Sequence, residues 1–412
     1  MNTAKGFQWV LSSILVLGLT ACHDGGSGSR GSNKAQTPMP APEPVQPTYD
    51  FAEVDSLLES FVAGHEVFTG ATIIIEHRSW GVIYEAAFGD FTLDTRLGLA
   101  SVSKAATASL LMALASDPDL DFDIDVPIEN YLPWMGAYPG VTAEQMLSNT
   151  SGMPVFDNYM TNPPAFGNHL CQLPVPEQVF NAATLLGCAQ GIYETLLPDT
   201  LPPGEQFRYG WSQWQLAGGL AEVVGGASWG QLFDQYIAQP CSLETFEWGR
   251  LGPSDWDFSL EGLVPGHANP NLEGGGIGSV RDLAKLVSLH LHDGACGDTQ
   301  VLPESAVNAM RVDRGSALGA LESGSEWRDE VGFPDLGYGL GWWITPTSDG
   351  SEPTVFAAIG GFGARIWFDV ERGYSASVLM ASYRDRAAVI DAHVLNQLEM
   401  IPLIEEAIDT AE

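Results

Sequence analysis

The tetrad Ser101-Val102-Ser103-Lys104 has the residue types and spacing for covalent catalysis, and it opens the run "SVSKAATASLLMALAS". The chain carries only four lysines, Lys5, Lys34, Lys104 and Lys285, so a lysine heading a row of alanines and leucines calls for a reason. On a helix, residues three apart share a face, which would set Lys104 beside the Ser101 hydroxyl. A serine hydroxyl is too weakly acidic to attack a carbonyl unaided. A lysine held among apolar side chains loses part of its preference for the charged form and can accept the serine proton. The start of a helix adds backbone donors and the positive end of a dipole, both suited to an oxyanion. A Ser-x-x-Lys arises readily by chance, and its place at the head of an apolar helical run strengthens it.

A lysine base needs a second proton carrier to reach a leaving group, a task a tyrosine can perform when a cation lowers its pKa. Tyr209, in "LPPGEQFRYGWSQWQLAGGLAEVVGG", stands ahead of a helical pattern in a suitable context; a half-buried core tyrosine fits there equally well. Other motifs carry less. "GASWG", Gly226 to Gly230, matches a Gly-x-Ser-x-Gly nucleophile elbow by letter, but a helical pattern precedes it where a strand is needed, so Ser228 is expected to cap a helix. The acidic run Asp117 to Val126 lacks the glycine and terminal glutamate of a calcium loop and is expected to be a solvated turn. His290 and His292, two apart, fall on different helix faces and are expected to be structural or exposed. With no close cysteine pair and no His-Glu-x-x-His, no metal and no cofactor are expected.

The elements that must position these residues are partly legible. Residues 1–21 read as a secretory signal whose Leu19-Thr20-Ala21-Cys22 ending resembles a lipobox, so Cys22 is the expected lipidation site. Residues 23–48 form a Gly, Ser and Pro-rich linker, and residues 49–412 have globular composition, long enough for two lobes. His23 after Cys22, by resemblance to other lipoproteins, favours the outer membrane over other exported, periplasmic or cell-surface sites. Acidic residues number 52 against 17 basic ones, a formal charge of -35, which repels nucleic acid. Cys171, Cys188, Cys241 and Cys296 are an even set in an oxidising setting; of three pairings, Cys171 with Cys188 and Cys241 with Cys296 is favoured. Phe51 to Val62 has helical spacing, "ATIIIEH" and "WGVIYEAAFGD" read as a hairpin turning at Arg78 and Ser79, a long helical middle follows, and short strands return from "YGLGWWITP" to "YSASVLMAS" before a helix from Arg386. An α/β fold of two lobes is expected, with one antiparallel sheet built from both chain ends, flanked by helices, and a mostly helical lobe inserted.

These residues together resemble the class C β-lactamase-like serine hydrolases, a family that includes β-lactamases, D-alanyl-D-alanine peptidases, esterases and nylon-oligomer hydrolases. "LASVSKAATASLL" is similar to the family's nucleophile helix, "TAEQMLSNTSGMP" to its His-Thr-Ser-Gly-Leu-Pro segment with Asn149 in place of the histidine, and "PPGEQFRYGWSQWQLAG" to its Tyr-x-Asn segment. "EGGGIGSVRDLAKL", "QVLPESAVNAM" and "YGLGWWI" follow in the family's order. The resemblance implies a β-lactamase/transpeptidase-like fold, Ser101 as acyl-enzyme nucleophile, Lys104 as base and Tyr209 as second proton carrier. It also locates two departures. Trp211 replaces the Tyr-x-Asn asparagine, and the Lys/His-x-Gly motif is represented by Ala358-Ile359-Gly360 or, in another register, Val355-Phe356-Ala357, neither with a cation. The amides of Ser101 and Gly361 are the expected oxyanion hole, with Trp211, Phe156 and Gly360 as pocket residues. A small neutral ester is the expected substrate, ahead of an amide. A β-lactamase or D-alanyl-D-alanine carboxypeptidase is the enzymatic alternative, and a non-catalytic binding protein on the same scaffold the other; oligomeric state is left open.

Overall fold

The computed structural model describes residues 45–154, 171, 183–251, 260, 263–318, 336–347, 350–382 and 385–411, nearly all within one unit from Gln46 to Glu412. The expected signal segment 1–21, Cys22, most of the linker 23–48 and Phe156 lie outside the described residues. The chain enters through helix α1 (Ala52–Gly64) and the hairpin β1 (Gly70–His77) and β2 (Gly81–Gly89), with its turn where the sequence predicts one. A two-residue strand β3 (Leu97–Gly98) and a single 3-10 turn, Ala100–Val102, lead into α2 (Ser103–Ser116). The middle contains α3 (Ala143–Leu147), α4 (Leu185–Glu194), α5 (Ser212–Gly225) and α6 (Trp229–Phe233). Strands β4 (Glu247–Leu251), β5 (Leu263–Pro265) and β6 (Gly276–Gly278) follow, then α7 (Val280–Leu291), the small hairpin β7 (Ala295–Cys296) and β8 (Thr299–Gln300), and α8 (Glu304–Met310). The chain returns through β9 (Gly337–Tyr338), β10 (Trp343–Thr345), β11 (Val355–Ile359), β12 (Arg365–Asp369) and β13 (Tyr374–Leu379), and ends in helical turns from Arg386 to Asp409.

Seven of these strands make one antiparallel sheet in the order β2-β1-β13-β12-β11-β10-β9, so the two chain ends meet where Thr72 pairs with Leu379 and Ile75 with Ala376. That is the sheet the sequence predicts, with α7 lying across β1, β13 and β12. Burial from helices explains why β12 and β13 are buried along their whole length instead of alternating. A second sheet, β3-β6-β4-β5, joins the segment before Ser101 to residues about 180 positions later, Leu97 to Gly278 and Gly98 to Ile277. Among the middle helices α5 packs against α2, α3 and α4. Gly218 and Gly219 permit that approach, because a Cβ on the first would strike Leu272 and on the second Ala189. Disulfides join Cys171 to Cys188 on α4 and Cys241 to Cys296 on β7, with Cα separations of 5.8 and 5.0 Å.

Candidate active site

Helix α2 is buried on every side from Ser103 to Leu114 and packs against α5, a core position that accounts for its alanine-rich composition. The chain turns into it with Ala100 at φ +46°, in the left-handed region that an L residue occupies only when its surroundings impose it. β3 anchors the approach, Leu99 donating its N–H to Gly276 O at 2.8 Å. Immediately after this turn stands Ser101, half-buried, with Lys104 fully buried one turn on.

Lys104 Nζ donates to Ser101 Oγ at 3.1 Å and to the main-chain oxygen of Glu273 at 2.9 Å. The rings of Tyr209, Trp211 and Trp214 surround the same nitrogen, with centroids 4.5, 5.7 and 5.8 Å away. Burial pushes the lysine well below its usual range, and the Glu273 carboxyl opposes that shift. The amine can therefore stand unprotonated within reach of the serine proton, the condition a base must meet.

Tyr209, in the stretch before α5, hydrogen-bonds through its hydroxyl to Ser101. Its ring stacks on Trp343 and meets Tyr338 edge-on. Burial raises the Tyr209 phenol above its usual value, and its bond to Ser101 only tempers the rise. Burial thus favours the protonated phenol at Tyr209, while at Lys104 it favours the free amine.

Behind this trio lies a polar network that the sequence reading missed. A capping box at Thr142, with Gln145 N donating to Thr142 Oγ1 at 3.2 Å, sets the start of α3. The helix delivers Asn149 at φ +60°. Asn149 Oδ1 accepts from Gln213 Nε2 at 2.7 Å and Trp214 Nε1 at 3.0 Å, and its side chain lies beside the Tyr338 hydroxyl. Asn149 therefore ties α3 to α5. The signal was available in the Ser-Asn-Thr-Ser row, but nothing local marks Gln213 or Tyr338 as its partners.

Gly360 follows β11 directly, with its N–H on Ala364 O at 2.8 Å, and a Cβ there would sit 2.5 Å from Leu99 O. This register puts Ala358-Ile359-Gly360 abreast of the nucleophile turn, with no cation among those three residues. Gly361 follows, exposed, with open space where a side chain would project. Trp211 packs with Ala100, Leu263 and Ile277, and with half-buried Phe362, in a small apolar cluster separate from the main core. Ser228 is the N-cap of α6, its N–H and Oγ both on Gln231 Oε1, far from nucleophilic duty. His290 is buried against Ser109, His292 meets Glu76, and the Asp117–Val126 stretch is a turn-rich loop. Among the described residues no group of three His, Cys, Asp or Glu could hold a metal ion.

A family model described as Beta-lactamase matches residues 54–398. Among solved structures, a candidate beta-lactamase from Bacteroides dorei DSM 17855 superposes with a TM-score of 0.69 at 23% identity, covering 88% of this chain and 100% of that one. EstCE1, a hydrolase with promiscuous acyltransferase activity, gives 0.62 at 18% identity, covering 84% and 98%. A D-stereospecific amidohydrolase from Streptomyces sp. gives 0.57 at 23%, covering 84% and 99%. No curated protein matches the sequence.

Proposed function

Because the chain belongs to the Beta-lactamase family, whose fold it has and whose members are hydrolases acting on small molecules, we propose that it is a serine hydrolase working through an acyl-enzyme on Ser101, with small neutral carboxylic esters as substrates. The observation that carries the reading is the Lys104 Nζ to Ser101 Oγ contact of 3.1 Å around a buried lysine held toward its neutral form. In the acylation step Lys104 takes the Ser101 proton while Oγ bonds to the ester carbonyl carbon, and the carbonyl oxygen becomes the oxyanion, received by the amides of Ser101 and Gly361. The C–O bond to the alcohol then breaks. Tyr209 gives its phenolic proton to the departing alkoxide and recovers one from the Lys104 ammonium. Water attacks the acyl-enzyme with the same groups in reverse order, regenerating Ser101.

The lean to a neutral substrate rests on three features. The strand beside the nucleophile offers Ala358-Ile359-Gly360 where the resemblance places a cation, Trp211 supplies an apolar ring where it places an amide, and the chain's charge of -35 disfavours anionic ligands. Export with a lipid anchor at Cys22, on the periplasmic or cell-surface side, belongs to the same proposal and is supported by the Leu-Thr-Ala-Cys ending and the polar linker. Side-by-side kinetics with short-chain p-nitrophenyl esters and nitrocefin test the substrate class. Ester turnover that dominates and vanishes in Ser101→Ala supports it. Nitrocefin turnover as fast as the best ester selects a β-lactamase, and no turnover of either, nor of a D-alanyl-D-alanine peptide, selects a binding protein.

A further inference from the structure

The segment Asn269 to Gly276 is pinned between the two helices that build the site. Gln215 on α5 donates to Asn269 Oδ1 at 2.6 Å and Pro270 O at 2.8 Å. From α2, Thr107 donates to Leu272 O at 2.8 Å, Lys104 to Glu273 O at 2.9 Å, and Ser103 Oγ accepts from Gly276 N at 2.9 Å. Three successive anchors on one helix leave Glu273 no route to solvent, and its exposure is 0%. Its Oε1 accepts from Asn271 Nδ2 at 2.7 Å; the amides of Leu272 and Glu273 lie alongside, and Oε2 has no well-aligned donor among the described residues. A carboxyl so poorly solvated is costly to bury, the more so in a chain already carrying 52 acidic residues. The compensation available is charge: Lys104 from α2 on one side and Arg250 from β4 on the other.

We propose that Glu273 is a positioning residue of the hydrolytic centre, its buried carboxyl sharing one proton with Lys104 and so setting the pH range in which the lysine can activate Ser101. The inference rests on the reading of Ser101 and Lys104 as a nucleophile and base. Two arrangements of the pair, ammonium with carboxylate or amine with carboxylic acid, hold the same number of protons and no net charge. Burial works against the ionised forms of both groups, lowering Lys104 and raising Glu273, while their opposite charges favour the ionised pair, so the two arrangements compete and the amine is fully free only when the shared proton has left. The other groups around them are Tyr209 and, beyond it, Tyr338, both held neutral by burial, with His267 beside Arg250. None of these replaces the carboxyl as a partner of opposite charge for Lys104.

Glu273→Gln keeps the shape and an oxygen for Asn271 while removing the charge. The test compares kcat/KM for p-nitrophenyl acetate across pH in the full chain and in this variant, with a melting curve for each. The lysine ammonium loses its carboxylate neighbour, so the acid limb should move to lower pH by about one unit, and a wild-type limb spread over two ionisations should sharpen to one. Superimposed limbs in a folded variant overturn the proposal, since a merely structural glutamate would change the amplitude and leave the pH range alone. Should the variant not fold, 13C-lysine NMR of the wild-type chain decides. With only four lysines, the Lys104 signal is identified by its loss in Lys104→Met, and it should titrate in two steps; one simple step overturns the pairing. Absence of Ser101-dependent turnover would instead remove the hydrolase reading, which the lysine titration distinguishes.

Discussion

Replacing Gly360 with alanine probes whether the nucleophile turn must seat against the end of β11. The added Cβ would lie 2.5 Å from Leu99 O and 3.1 Å from Ala364 O, both backbone atoms, against the 3.4 Å at which ordinary contact begins. The shortfall of about 0.9 Å at Leu99 cannot be relieved by a rotamer change, so the turn or the strand must move by most of that distance. Leu99 is held to Gly276 on one side and precedes the strained Ala100 on the other, so the shift passes directly to Ser101 two residues on. A misplacement near 1 Å in a catalytic array costs about a hundredfold in rate. The assay is kcat for p-nitrophenyl acetate at saturating substrate together with a thermal melt. Gly360→Ala should lose on the order of a hundredfold in kcat and melt a few degrees lower. Gly230→Ala, on α6 with nothing within 4 Å of the new methyl, should match wild type in both. A Gly360→Ala enzyme within about threefold of wild-type kcat would refute the claim that this contact positions the nucleophile.

Further outcomes follow from the buried lysine and the N-terminal segment. Lys104→Met should abolish ester turnover yet raise Tm by about 2–6 °C at neutral pH, because an apolar chain suits the site better than an amine does. The sign follows from linkage: the folded-state pKa of Lys104 lies below the unfolded 10.5, so between the two values the unfolded chain binds the extra proton. The lysine's penalty therefore shrinks as pH rises toward 10.5, and the Tm gain of the variant should shrink with it; a gain that grows with pH contradicts the assignment. Wild-type activity should fall as pH drops through the same folded-state ionisation. Cys22→Ala should move the protein from the membrane to the soluble fraction of an expressing cell, and unchanged membrane recovery rejects the anchor.

Much of the site was legible because its parts are local. Ser101 and Lys104 lie one helical turn apart, so spacing alone brings them together, and the α2 composition announces a buried helix. The hairpin β1–β2 and the returning strands β11 to β13 show as β-rich runs bounded by turns, and Ser228 shows as a cap because a helical pattern precedes it. The sheet β3-β6-β4-β5 was not legible: strands of two to five residues are too short for a period, and the pairing of Leu97 with Gly278 depends on contacts nearly 180 residues apart. For the same reason Glu273 reads in sequence as one more acid before a glycine row. Only the fold turns it into a buried carboxyl beside the buried Lys104. The direction in which Tyr209 is shifted was not legible, because it depends on how far the fold takes the ring out of water. Desolvation dominates in the structure.

The claim on which the rest depends is that Ser101, activated by Lys104, is the nucleophile. Incubation of the full chain with a fluorophosphonate probe, followed by intact-mass and peptide mass spectrometry, tests it most directly. One adduct per chain is expected, on the peptide carrying Ser101, forming faster as pH rises through the Lys104 ionisation and absent in both Ser101→Ala and Lys104→Met. An adduct on Ser228, or labelling that persists in Ser101→Ala, would contradict the account.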